Sequence, residues 1–271
     1  MTICLGALCA DSTGKTSRIA VVASDRMVTL GGLIEFEHEV PKVSNLSGKV
    51  LALVAGDALR GSRLIRDVSA SLPVEPSTVD EIVKATVQWY VTHRRQQIEA
   101  EIFTPRGVSM QDFYTGLQQR LIQPLVGSID QQVITYNYGV ELLIAGVDGD
   151  GAHLHAIENP GTEEDFAQIG YAAIGSGGLH ALQSMIGFGH AGMHGLNDTV
   201  FSVYASKRRA EVAPGVGKDT DLAIITEDSI QYLEQSVLKE LDALYGEYQR
   251  PVMQDLKSKV AELSFLKKRG E

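Results

Sequence analysis

The chain has 271 residues, 44% of them hydrophobic, enough to bury a full core in one large domain or two small ones. Its 34 Asp and Glu outnumber its 24 Lys and Arg, and the formal net charge of -10 argues against a protein that works by gathering phosphates, so nucleic acid is not an expected partner. No run reaches the roughly 20 apolar residues of a membrane span, and the N-terminus lacks the basic, apolar and small-residue pattern of a signal peptide; the sequence reads as cytoplasmic, with no membrane contact.

The first quarter carries short apolar runs of strand length, Ile3 to Cys9, Ile19 to Ser24 and Val50 to Ala55, separated by Gly, Ser, Asn and Pro. These read as antiparallel hairpins. Cys4 and Cys9 share the first run at an odd separation, so they point to opposite faces and no disulfide between them is expected. Val50-Leu51-Ala52-Leu53-Val54 is apolar on both faces, which predicts a strand covered by another sheet on one side and by helices on the other.

Periodicity then changes. Val79, Ile82, Val83, Val87, Tyr90 and Val91 fall near one helical face, and Thr78 with Glu81 three residues on makes a capping box, predicting a helix from about 78 to 102. Beyond the breaker Thr104-Pro105-Arg106-Gly107, Ser109 and Asp112 open a second long helix with Phe113, Leu117, Leu121 and Ile122, which stops near Pro124.

Strands are expected again at Glu141 to Val147, His153 to Ile157 and Tyr171 to Ile174, then helices near Gly178 to Ile186 and Thr199 to Ala210, and a strand from Leu222 to Thr226. Asn197-Asp198-Thr199 reads as the start of a helix rather than as a glycosylation site. From Ser229 the spacing Ile230, Leu233, Val237, Leu241, Leu244, Tyr248, continued after Pro251 by Met253, Leu256, Val260 and Leu263, predicts a helical pair ending in a solvated Lys267-Lys268-Arg269. The order β-rich, helical, β-rich, helical, β suits a four-layer αββα sandwich, and two ordinary α+β domains would show much the same order.

Three signals point away from function. Gly215-Val216-Gly217-Lys218-Asp219-Thr220 lacks the upstream glycine of a phosphate-binding loop and has Asp219 where Ser or Thr belongs. His190 and His194 are four apart, but the glycines at 189, 192 and 195 argue for a loop rather than a metal-binding helix. His153 and His155 share one face of a strand and, with no Cys or carboxylate cluster beside them, read as surface residues, so no metal is expected.

Four segments together resemble the proteasome β-subunit family and its bacterial relatives. They are Thr2 to Cys9, Val21-Val22-Ala23-Ser24-Asp25-Arg26, Pro41-Lys42-Val43 followed by Leu53-Val54-Ala55-Gly56-Asp57-Ala58, and Leu142-Leu143-Ile144-Ala145-Gly146-Val147-Asp148 with Ala173-Ile174-Gly175-Ser176-Gly177. The resemblance covers residues 2 to 226, with a helical insertion at about 95–135, and leaves a C-terminal helical extension at 229–271 outside it. It implies an α+β fold, the four-layer αββα sandwich of N-terminal-nucleophile hydrolases. With no extra N-terminal helix before the first strand, it is the catalytic β-type rather than the α-type that is expected.

A threonine hydroxyl is a weak nucleophile and needs a base. Once Met1 is removed, the α-amino group of Thr2 can serve, since its reference pKa of about 7.7 to 8.0 leaves a neutral fraction at pH 7 and it sits on the same residue as the hydroxyl. The resemblance implies that Lys42 lowers the pKa of this pair, that Asp25 orients the lysine, that a Gly56 amide stabilises the oxyanion and that Ser176 helps hold the amine and a water. It further implies that Val54 and Thr29 bind the substrate side chain. Two departures stand out: Met27 replaces an arginine usual two residues after the acid, and the family's late Asp and Ser cluster finds only Glu211 and Ala213-Pro214-Gly215.

The expectation is thus a threonine peptidase with no cofactor, acting on peptides or unfolded protein, in a homo-oligomeric ring or open ring-like assembly that an unfoldase partner could feed. The rivals are a narrow-specificity amidase or transpeptidase on the same fold and a non-catalytic scaffold subunit.

Overall fold

The computed structural model describes residues 2–10, 17–30, 34–38, 41–73 and 78–261. The chain is α+β. Its first hairpin pairs β1 (Cys4–Ala10) with β2 (Ser17–Asp25). β3 (Met27–Leu30) and β4 (Ile34–Glu37) form a small separate ribbon, and β5 (Val43–Ser47) pairs with β6 (Val50–Gly56). Helices α1 (Ala58–Ser71) and α2 (Val79–Ile98) follow, then the short α3 (Met110–Thr115) and α4 (Gln123–Ile134). The strands β7 (Val140–Asp148), β8 (Gly151–Glu158), β9 (Thr162–Asp165) and β10 (Tyr171–Ile174) precede α5 (Gly178–Gly187) and α6 (Leu196–Ala210). β11 (Thr220–Ile225), β12 (Ile230–Tyr232) and α7 (Gln235–Ala261) are the last of the described elements.

Two five-stranded antiparallel sheets result, in the orders β10-β1-β2-β11-β12 and β5-β6-β7-β8-β9. The side-chain alternation of strands decides what each face meets. On β1, Cys4 and Leu8 point at the other sheet, into a core with Leu51, Leu53, Leu143 and Leu154. Ile3, Leu5, Ala7 and Cys9 point the other way, against Met185 of α5, Val203 and Tyr204 of α6 and Leu241 of α7. The two cysteines are therefore buried, free and on opposite faces, as their spacing requires. On the far face of the second sheet, Val50, Ala52, Leu142 and Ile144 meet Leu64 and Val68 of α1 and Ile82 and Val83 of α2, so β6 is covered by a sheet on one side and helices on the other. At about 25 cal/mol per Å² of apolar surface removed from water, these faces supply the main favourable energy of folding. A fourth cluster, with Ile98, Ile102, Phe103, Phe113 and Ile129, holds the helical insertion together.

Several elements differ from expectation. Helix α1 is not anticipated, although Gly61, Leu64, Ile65 and Val68 make its buried stripe and the Asp57 carboxylate caps its start by accepting from the Leu59 and Arg60 N–H groups. α2 is capped by Thr78 accepting from the Glu81 N–H, as the capping box requires, but its last turn widens into a π-helical segment over Glu99–Phe103. The expected second long helix is broken at Gly116, and Pro124 does not end it: proline tolerates the first turn, where no N–H partner is needed, and α4 starts there. The spacing read as helical from Ile230 begins instead with a strand, because Ile230 to Tyr232 extends the first sheet and Ile230 packs between the sheets. α7 is one helix through Pro251 rather than a pair. Lys267-Lys268-Arg269 and Met1 lie outside the described residues. No helix among the described residues is long and apolar enough to cross a membrane.

Candidate active site

Strand register gathers the N-terminus with four distant segments. Cys4 lies opposite both Ile174 of β10 and Ser24 of β2, and Thr220 of β11 lies opposite Asp25. The residues just past these pairs therefore meet at one end of the first sheet: Thr2, Asp25, the Gly175-Ser176-Gly177 turn and the loop before β11. From the second sheet, Lys42 precedes β5 and Gly56 ends β6, with the Val54 N–H donating to the Lys42 carbonyl at 3.2 Å.

Thr2 is buried, 2% exposed. Its Oγ1 donates to Asp25 Oδ1 and accepts from Lys42 Nζ, and Lys42 Nζ also donates to Asp25 Oδ1 at 2.8 Å. The Thr2 nitrogen donates to Ser176 Oγ at 3.1 Å, and the Gly177 N–H donates to the Thr2 carbonyl at 3.1 Å. Gly175 is required here. Its φ of +85° is in the region that disfavours any side chain, and a Cβ would stand 2.5 Å from the Thr2 carbonyl oxygen. The Glu141 carboxylate fixes this turn by accepting from the Gly175 N–H at 2.7 Å.

Asp25 is fully buried, and every oxygen is engaged. Oδ1 also accepts from the Ile3 N–H at 3.0 Å, while Oδ2 accepts from Met27 N–H at 3.2 Å and Gly217 N–H at 2.8 Å. Thus Met27, the departure from the family arginine, contributes through its backbone, and the adjacent Arg26 instead grips Asp221.

The segment set aside as a failed phosphate-binding loop does collect carboxylates, those of the chain itself. Gly217 N–H serves Asp25, and the Lys218 and Asp219 N–H groups reach Glu37 Oε1 at 2.5 and 3.0 Å. Burial tends to raise the Glu37 carboxyl, but these backbone bonds outweigh it and hold it below the usual carboxylate range. The loop is clamped from behind by Lys207, which is fully buried and donates to Glu211 at 2.8 Å and to the Gly217 and Lys218 carbonyls at 2.9 and 2.8 Å. Burial pushes the Lys207 ammonium below its usual value. Lys207 and Glu37 are site residues that sequence reasoning missed; Glu211 it noted only as a remnant of the late cluster.

Beside Thr2 lies a cavity of about 320 Å³ whose walls include Met27, Phe36, Lys42, Val54, Gly56 and Leu59. Gly56 has φ +89° and closes so tightly on Gly139 that a Cβ would stand 2.1 Å from its carbonyl oxygen. Of the expected residues, Thr2, Asp25, Lys42 and Ser176 come into one hydrogen-bonded group, and Val54 and Gly56 line the cavity with Thr2 and Lys42. Thr29 is in β3, but its side chain lies outside the described residues. Cys4 Sγ donates to the Val54 carbonyl at 3.6 Å, and burial raises its pKa far above neutral, so it remains a thiol. Neither a scan of protein-family models nor a search of curated proteins gives a match to this chain.

Proposed function

We propose that this chain is a proteasome-like N-terminal-nucleophile hydrolase that cleaves peptide bonds with Thr2. Supporting this fold is the succession of helices, sheet, sheet and helices, which we read as the four-layer αββα sandwich. The observation that carries the chemistry is the contact of Thr2 Oγ1 with both Lys42 Nζ and Asp25 Oδ1 at the edge of an apolar cavity.

In this reading, removal of whatever precedes Thr2 turns its nitrogen into an amine 3.1 Å from Ser176 Oγ. The neutral amine takes the hydroxyl proton as Oγ1 bonds to the substrate carbonyl carbon; Lys42 offsets the charge that develops on Oγ1, and the Gly56 N–H donates to the carbonyl oxygen as it becomes an oxyanion. The amine then returns the proton to the leaving nitrogen as the peptide C–N bond breaks, leaving an ester on Thr2. Water hydrolyses the ester by the same proton path. The cavity, with Phe36 and Leu59 at its wall, suits an apolar substrate side chain. Its modest volume also favours a second reading, a narrow-specificity amidase, which a single preferred small amide in a substrate screen would identify. Ring-like assembly and an unfoldase partner belong to the family reading and are tested by sedimentation of the native protein.

The deciding experiment is intact mass before and after a β-lactone, with Thr2→Ala in parallel. A chain that begins at Thr2 and gains one adduct, absent in Thr2→Ala, is the expected result. A blocked Thr2, or a free one that never reacts, overturns the enzyme reading in favour of a scaffold.

A further inference from the structure

The outer face of the second sheet carries another group of chemistry-bearing side chains, none of which lines the Thr2 cavity. His153 and His155 occupy alternate positions of β8, and their rings stack with centroids 6.2 Å apart at 12°. The antiparallel partners of β8 supply what the sequence reading found missing. Asp148, at the end of β7, meets His153 Nε2 at 2.8 Å, and Glu163, on β9, meets His155 Nδ1 at 2.8 Å. A carboxylate only accepts, so each of these ring nitrogens carries the proton, and the opposite nitrogen of each ring keeps its lone pair.

His155 is not a surface residue: it is 4% exposed, and its Nε2 is buried with no hydrogen-bond partner. Such an orphaned group is costly and calls for an explanation. Asp80 Oδ1, in the first turn of α2, stands 4.0 Å from it. One ligand atom from each of Asp80, His153 and His155 lies within 4.8 Å of the other two.

We propose that Asp80, His153 and His155 bind a Zn2+ ion, with Asp148 and Glu163 holding the two imidazoles from behind. Two neutral imidazole nitrogens and one carboxylate oxygen form a borderline donor set that suits zinc and does not suit Mg2+ or Ca2+, which want oxygen alone. A carboxylate behind each ligating histidine is the arrangement that fixes tautomer and ring orientation in zinc sites. Zinc–nitrogen bonds of about 2.0 to 2.1 Å require the donors to draw closer than they stand. Asp80, with a side chain 58% exposed, has the freedom to swing in, while both histidines are held on the strand. The ion acts as a clamp. Asp148 Oδ2 already accepts from the Val79 N–H at 2.8 Å, and Asp80 is the next residue, so zinc adds a second tie between the start of α2 and the β7–β8 hairpin.

The test is a calorimetric titration of chelator-stripped full-length protein with Zn2+, with Mg2+ as control. One equivalent of zinc should bind with micromolar or tighter Kd, and Mg2+ should not bind at this site. Asp80→Asn, an exposed change that leaves the fold intact, and His153→Ala should each weaken zinc by about tenfold or more. Zinc at about a hundredfold excess over the wild-type Kd should raise the wild-type Tm by roughly 5 °C and the Tm of each variant by no more than about half as much. Cobalt substituted into the site should show no thiolate charge-transfer band, excluding Cys4 and Cys9. Absence of saturable zinc binding, binding that both variants retain in full, or a thiolate band overturns the proposal.

Discussion

Lys207 offers the sharpest test of how the Thr2 site is held. Its Nζ makes three bonds, to Glu211, Gly217 and Lys218, from a position with no solvent exposure. Hydrogen bonds to a charged group contribute about 1.5–3 kcal/mol each, and breaking a buried ion pair costs about 3–5 kcal/mol when the surviving partner is left alone. In Lys207→Met the stem volume is kept and Glu211 retains Arg208 Nη1 at 3.4 Å, so the cost should fall toward the lower end, about 3 kcal/mol, or a fall in Tm of roughly 6 to 10 °C. The damage should not stop at stability. Without its clamp the Gly217 N–H no longer meets Asp25, and adduct formation at Thr2 should slow even in molecules that remain folded. Urea unfolding gives the first quantity and adduct rate well below the midpoint gives the second. Lys207 also predicts a pH signature. Burial lowers its folded pKa below the unfolded value of 10.5, so between the two the unfolded state holds more protons and stability rises with pH. Wild-type stability relative to Lys207→Met should therefore climb as pH approaches 10.5 from below and be flat under the lowered value. A loss under about 1 kcal/mol, with unchanged adduct rate, would refute the clamp.

Gly175→Ala should destabilise by about 1–3 kcal/mol and abolish the adduct, because the new Cβ meets the Thr2 backbone at 2.5 Å in a positive-φ conformation. Gly127→Ala, inside α4 with nothing within 4 Å, should instead stabilise by about 0.5–1 kcal/mol, and the same unfolding experiment reads both. Native protein should show no thiol reactive to a disulfide reagent and denatured protein two, since burial raises both cysteines, Cys9 to about 11. Burial lowers His190 below 6.5 despite its bond to the Leu8 carbonyl, so stability present above pH 6.5 should be lost as pH falls through the window beneath it, and His190→Gln should flatten that slope in urea melts.

What could be read from the sequence tracks how local the physics is. The runs Ile3 to Cys9 and Val50 to Ala55 carry a period of two or continuous apolarity, and Thr78 with Glu81 carries a cap, so these elements are where expected. α1 escaped because its core stripe of Leu64, Ile65 and Val68 is narrow and flanked by charges; Ile230 and Leu233 fit a helical period although sheet pairing holds Ile230 to Tyr232 in a strand. At the site, Thr2, Asp25, Lys42 and Ser176 were accessible through family order and spacing. Lys207 was not, because two of its three acceptors are backbone carbonyls, which leave no mark on residue type. The Asp80, Asp148 and Glu163 carboxylates were equally invisible around His153 and His155, since hairpin register and a helix start bring them together across more than one element.

The hydrogen-bond pattern of Asp25 limits its role. As a carboxylate it offers about four lone-pair sites, and Thr2 Oγ1, Ile3 N, Lys42 Nζ, Met27 N and Gly217 N already point at them. With its acceptor sites filled by these donors, Asp25 has no oxygen lone pair left to turn toward a substrate. In the proposed reading Asp25 therefore orients Lys42 and the hydroxyl, and the general base is another group. Ser176 Oγ, which accepts from the Thr2 nitrogen, is no base at neutral pH, and the Cys4 thiol is bonded to the Val54 carbonyl. Lys42 Nζ also touches the hydroxyl, but it donates to Oγ1 and to Asp25 and in the proposed reading offsets the charge on Oγ1, which leaves the nitrogen of Thr2 itself as the base once the peptide bond before it is cut. On that proposal reactivity at Thr2 depends on the cleavage, which is why the mass of the N-terminus and the reactivity of the hydroxyl have to be read in one experiment.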